Sequence, residues 1–140
     1  MSVGITVIDN LSINSDLSQL TLVEQLIDKV CASLHIDEDM YGNVLIAVTE
    51  AVNNAIIHGN KFSDSLKVLV DVIDNDTAFA FRISDGGTGF DFTNLPDPTA
   101  PENIEKENGR GIFLIKNLAD NLEFSDNGKV ATIFFNKINA

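Results

Sequence analysis

The chain has 140 residues, enough for one domain of ordinary size, and 9 Lys and Arg against 21 Asp and Glu give it a net charge of −12. That balance argues against nucleic-acid binding, which needs clustered basic side chains against phosphates, and no apolar run approaches the roughly 20 residues of a membrane span. The single cysteine, Cys31, excludes an intramolecular disulfide and fits a reducing, cytoplasmic compartment.

The first ten residues, MSVGITVIDN, lack the basic start and small-residue cleavage site of a signal peptide. Val3–Ile8 alternates weakly and predicts a short edge strand. Leu20, Val23, Leu26, Ile27, Val30 and Leu34 follow helical spacing and predict a helix over about 17–34, with Ser15 and Asp16 placed to cap it. Cys31 lies within this apolar run and reads as a buried structural thiol. Asp37 is placed to cap a second helix from Glu38 to about His58, with Gly59 at its end. Leu66–Asp74 and Ala78–Ser84 predict strands joined by Asn75-Asp76. Residues 86–108 predict an irregular segment, longer than most loops. Gly111–Ala119 predicts a helix, and Leu122–Ser125 and Val130–Asn136 a hairpin across Asp126-Asn127-Gly128.

Strands in hairpin pairs, not alternating with helices, predict an α+β fold. It is a two-layer sandwich with a mixed, mostly antiparallel sheet and helices on one face. No repeat or linker divides the chain, so one domain over 1–140 is expected.

The second helix carries a polar stripe. Val44, Leu45, Val48, Val52 and Ala55 share one broad apolar face. Glu50, Asn54 and His58 stack at i, i+4 and i+8, with Asn53 beside them and Ile46, Ala47, Ala51 and Ile57 flanking. Such a walled stripe is expected to be only partly open to water. Polar groups there need partners, since an unpaired amide costs roughly 2–7 kcal/mol in apolar surroundings. Two readings are open: a hydrogen-bond network, or a ligand site in which Glu50 is a base and Asn54 a ligand to Mg²⁺, a cation that takes hard oxygen donors.

Two glycine segments bear on that choice. In RISDGGTGFDF, a strand runs into Asp85-Gly86-Gly87-Thr88-Gly89, where glycines permit tight turns and close approach of a ligand. In NGRGIFLIKNLAD, Gly109 and Gly111 open an apolar helix whose first N–H groups form an anion site. Each segment alone is also an ordinary turn or helix start. The net charge adds a constraint: a polyphosphate would have to be held locally by metal and N–H groups, not by long-range attraction.

In order and spacing, Glu50-x-x-x-Asn54, Asp85-x-Gly87-x-Gly89 and Gly109-x-Gly111 resemble the N, G1 and G2 boxes of the GHKL ATPases. The run Glu-Ala-Val-x-Asn-Ala-Ile-Ile-His-Gly is most similar to the stand-alone anti-sigma-factor serine kinases, and the resemblance spans about residues 15–136.

The resemblance implies the Bergerat α/β sandwich and a cytoplasmic Mg²⁺- and ATP-dependent serine/threonine kinase. Such a kinase would phosphorylate a STAS-type antagonist, bind a sigma factor, and form a homodimer. Glu50 would be the catalytic base and Asn54 the metal ligand. Asp85 would accept from the adenine amino group, with Gly87, Gly89 and Phe90 around the base. Gly109, Arg110, Gly111 and Ile112 would surround the phosphates. Thr132 would lie near the adenine, and His58 and Lys61 near ribose or phosphate. Residues 91–108 would form the ATP lid. The sequence departs from the kinase pattern where an arginine often precedes the second glycine pair; Glu107 and Asn108 stand there. That departure keeps a second function in view, a nucleotide-dependent protein-interaction switch without phosphorylation. A histidine kinase fragment fits less well, with only His35 and His58 available.

Overall fold

The computed structural model describes residues 6–87 and 107–137, and of residues 107–110 and 127 the backbone. β1 (Thr6–Asn14) leads through a 3-10 turn at Leu17–Gln19 into α1 (Leu20–Ser33). Asp16 caps that turn by accepting from the Ser18 N–H at 2.9 Å. α2 (Glu38–Asn54) is capped by Asp37, which accepts from the Met40 N–H at 2.8 Å. Glu38 and Asp39 in its first turn complement the helix dipole. α2 continues into a single π turn, Ala55–Gly59, which closes with the Asn60 N–H donating to the Ala55 carbonyl at 2.8 Å. β2 (Lys67–Asp74), β3 (Ala78–Ser84), α3 (Glu107–Leu118), β4 (Asn121–Ser125) and β5 (Val130–Asn136) complete the order.

The five strands form one sheet in the order β1-β2-β3-β5-β4, and every ladder is antiparallel. The α+β sandwich is therefore present, with no parallel pair among the described strands. One face of the sheet meets the helices. Val70, Val72, Phe79, Phe81, Ile133 and Phe135 from the strands close on Val23, Ile27 and Val30 of α1 and on Val44, Val48 and Val52 of α2. Phe79 stacks on Phe135 with ring centroids 5.4 Å apart, a geometry that adds to the area both rings bury. Tyr41 donates to Asp28 and so ties α2 to α1. Cys31 is buried in this layer, and its thiol is pushed up to about 11, by desolvation first and by the Asp28 charge second.

Three expectations change. The first strand runs to Asn14 instead of ending at Ile8, because its second half pairs with β2 and buries Ile13. α3 is helical from Glu107 instead of from Gly111, so both glycines lie inside its first two turns instead of opening it. Of the residues flanking the polar stripe, Ala47 and Ala51 are buried but Ile46 is exposed. No helix among the described residues is long and apolar enough to cross a membrane.

Candidate active site

α2 and α3 meet at a glycine. A Cβ placed on the buried Gly111 would lie 2.6 Å from Glu50 Oε2, 2.9 Å from Asn54 Nδ2 and 3.4 Å from Asn54 Oδ1. The two polar side chains therefore converge over the space that a side chain at 111 would fill. Both are half-buried. The i, i+4 spacing on α2 does the aiming, since it stacks Glu50 and Asn54 on the one stripe that faces α3.

The other end of the site is built around Asp85, at the exit of β3. Its N–H donates to the Lys129 carbonyl at 2.9 Å, and its Oδ1 accepts from the Gly87 N–H at 2.9 Å. Gly59 lies against its carboxyl: a Cβ there would run into the Asp85 oxygens, and a Cβ on Gly87 would run into the Gly59 carbonyl. Two backbones and a carboxylate thus share a space that only glycine allows. Burial pushes the Asp85 carboxyl above its ordinary value of 3.8, opposed by the Gly87 N–H and by the nearby Lys129 charge.

Between these ends lies a cleft of about 620 Å³, its open mouth included. Asn54, His58 and Gly59 line it from the end of α2, Asp85 from β3, and Ile112 and Ile115 from α3. Leu122 and Phe124 of β4 and Lys129 and Ala131 of the hairpin complete the wall. The lining is mostly apolar, with Asn54, His58, Asp85 and Lys129 as its polar members. A flat heteroaromatic ring with polar substituents fits such a lining.

The expected residues fare unequally. Asn54, His58, Asp85 and Ile112 line the cleft, Glu50 adjoins it across Gly111, and Gly87 packs beside Asp85. Asn53 and Lys61 lie outside the lining, and Lys61 takes a left-handed backbone with φ 52°. Gly109 and Arg110 belong to the first turn of α3. Gly89, Phe90 and residues 91–106 of the expected lid lie outside the described residues, while Glu107 and Asn108 begin α3. Thr132 is a correction. Side chains alternate along β5, so that Ala131 faces the cleft and Ile133 and Phe135 the core. Thr132 faces the opposite side of the sheet, in a shallow depression with Arg82 and Phe134.

The sequence reading missed Leu122, Phe124 and Lys129, which it took only as parts of a hairpin. The signal available was the alternation Leu122-Glu123-Phe124, which puts two large apolar groups on one face of an edge strand.

The sequence matches the family described as Histidine kinase-like ATPase domain over residues 13–135. The chain belongs to that family. Among curated relatives of this ATPase domain, it is 28% identical over 100 residues to the serine-protein kinase RsbW of Listeria monocytogenes serotype 4a (strain HCC23), covering 67% of this chain and 64% of the relative. It is 31% identical over 85 residues to the serine-protein kinase RsbW of Bacillus cereus (strain AH820), covering 56% of this chain and 52% of that protein. The chain thus spans between about half and two-thirds of the length of these relatives. The resemblance to the anti-sigma-factor serine kinase branch of the GHKL ATPases is borne out.

Proposed function

We propose that the chain is one ATP-binding kinase domain that uses Mg²⁺-ATP to phosphorylate a serine or threonine of a STAS-type anti-sigma antagonist. In this reading it also restrains a sigma factor and works as a homodimer in the cytoplasm. The observation that carries the reading is the convergence of Glu50 and Asn54 over Gly111 at one end of a cleft whose other end is Asp85.

The residues present fit the groups they would hold. The Asn54 amide offers a neutral hard oxygen, and Mg²⁺ commonly takes one or two protein ligands, with phosphates and water for the rest. When bound, that ion would neutralise charge on the phosphates. Asp85 would accept from the adenine amino group against the apolar wall of Leu122, Phe124 and Ala131. The first N–H groups of α3 would donate to phosphate oxygens, with Arg110 at that turn. Glu50 would take the proton of the substrate hydroxyl as its oxygen bonds to the γ-phosphorus. The bond from that phosphorus to the bridging oxygen breaks, and ADP leaves. Transfer of this kind depends on placement and charge neutralisation more than on covalent help. Ile112, beside Gly111, would pack near the phosphate end, and His58, which lines the cleft, would meet the ribose.

Transfer of a γ-phosphate label to the antagonist tests the reading. Transfer is expected for the wild type and is abolished in Glu50→Ala and weakened in Asn54→Ala. Absence of transfer by the wild type to any STAS-type partner overturns it.

Glu107 and Asn108, where kinases of this branch often carry an arginine, favour a second reading. A switch that binds ATP and changes partners without phosphorylating them needs no such cation. Partner binding would then require ATP and survive Glu50→Gln.

A further inference from the structure

Among the described residues, two polar side chains are buried, Ser15 at 5% exposure and Asn60 at 2%. They belong to one network. The Ser15 hydroxyl donates to the Leu66 carbonyl at 2.6 Å. The Asn60 amide donates to Ser15 Oγ at 2.9 Å and to the Lys67 carbonyl at 3.1 Å. Its Oδ1 accepts from the Gly86 N–H at 2.8 Å. Both ends of the amide are thus engaged, by groups that come from three separate stretches of chain, at Ser15, Lys67 and Gly86.

Gly86 sits between Asp85 and Gly87, in the turn that closes the base end of the cleft. Among the described residues that turn has one more hydrogen bond outside itself, from the Asp85 N–H to the Lys129 carbonyl. The backbone of Asn60 closes the π turn of α2. Its side chain therefore fixes the distance between the α2 end, which carries His58 and Gly59, and the Asp85 turn. An extra residue in a helical turn re-aims the chain beyond it, and π turns are frequent at functional sites.

We infer that Asn60 is a positioning residue for nucleotide-base selection. It holds the Asp85-Gly86-Gly87 turn at the spacing from α2 that lets the Asp85 carboxylate meet an adenine amino group. The inference rests on the proposed nucleotide site. A buried amide with all its partners is worth most where no water can replace it. Removing it leaves the Gly86 N–H without a partner and frees the turn, while the phosphate end at Asn54 and Gly111 is untouched.

The test compares wild type, Asn60→Ala and Ser15→Ala by calorimetric titration with ATP and with GTP, and by hydrogen exchange at the Gly86 amide. The wild type is expected to prefer ATP. Asn60→Ala is expected to bind ATP about tenfold more weakly (about 1.4 kcal/mol) with GTP affinity unchanged, and to exchange the Gly86 amide faster. Ser15→Ala keeps the Gly86 bond, so it is expected to melt lower yet keep the ATP preference. Loss of folding alone would move both nucleotides together. A folded Asn60→Ala protein with the wild-type preference and Gly86 exchange overturns the inference. Where Asn60→Ala does not fold, Asn60→Asp decides. Its side chain retains an acceptor for Gly86, so the ATP preference should survive a lower melting temperature, and loss of the preference in the folded protein overturns the inference. A wild type that binds neither nucleotide overturns the site reading and this role with it, and the Gly86 exchange rates then still report whether the clamp exists.

Discussion

Gly111 separates two demands that a substitution can pull apart. Alanine is normally better than glycine inside a helix by roughly 1 kcal/mol, so Gly111→Ala favours α3 as a helix. Its methyl group would nevertheless arrive 2.6 Å from Glu50 Oε2 and displace the ends of two flexible side chains. We expect Gly111→Ala to melt within a few degrees of the wild type and to lose Mg²⁺-ATP binding by tenfold or more. Calorimetry beside a thermal melt reads both. Asp85 makes the same point through charge. Its folded carboxyl lies above the ordinary value, with desolvation as the leading cause. The native state therefore holds the proton more tightly than the unfolded chain does. Stability falls as pH rises from 3.8 through the raised folded value, and the cost is fully present above it. Asp85→Asn is expected to raise the melting temperature at neutral pH, with the gain vanishing toward pH 3, and to lose adenine binding. A neutral-pH melt at or below the wild type would contradict this account.

At the scale of elements, α2 is the part on which the site depends. Its cap is local: Asp37→Ala removes the acceptor for the Met40 N–H and is expected to cost about 1 kcal/mol, a drop of about 4 °C for a domain of this size. ATP affinity of the folded protein should be unchanged, because the cap lies several turns from Glu50. Denaturant melts of the variant check the first number and titration the second. Such local features were legible in the sequence. The caps Asp16 and Asp37, the apolar period of α1 and α2, and strands β3 and β5 could be read because their causes lie within a few residues. The Glu50–Asn54 stripe could be read for the same reason. What failed depends on pairing. The second half of β1, with Asn10 and Ser12 in it, is polar enough to look like a loop until Ile13 finds β2. Thr132 was expected near the adenine from the resemblance alone, and strand parity could not check that before the register was known: a shift of one residue exchanges the two faces. The role of Asn60 was not legible at all, since its partners Ser15 and Gly86 lie 45 and 26 residues away.

The whole molecule carries a charge of −12 at neutral pH, which repels itself and repels a polyphosphate. Both penalties are screened by salt, over a Debye length that shrinks to about 10 Å at 0.1 M. Raising NaCl from 10 to 150 mM is therefore expected to raise the melting temperature of the nucleotide-free protein. ATP association should also quicken, as stopped-flow fluorescence would read. A fall in melting temperature would mean that ion pairs such as Arg82–Asp71 and Lys137–Asp74 outweigh the global repulsion.

The strand order also sets a timetable. β3 lies mid-sheet, with β2 on one side and β5, the last of the described strands, on the other. On the ribosome, chain emerges at roughly 5–20 residues per second, so one edge of β3 waits seconds for its neighbour. Throughout that interval Phe79 stands without the Phe135 ring that stacks on it. In the proposed site a nucleotide would not shorten the wait, since Lys129 and Ala131 of the same late hairpin line the cleft. The newborn protein thus exposes apolar surface before it is competent, and shielding that seam until synthesis reaches β5 is expected to raise its yield in the cell.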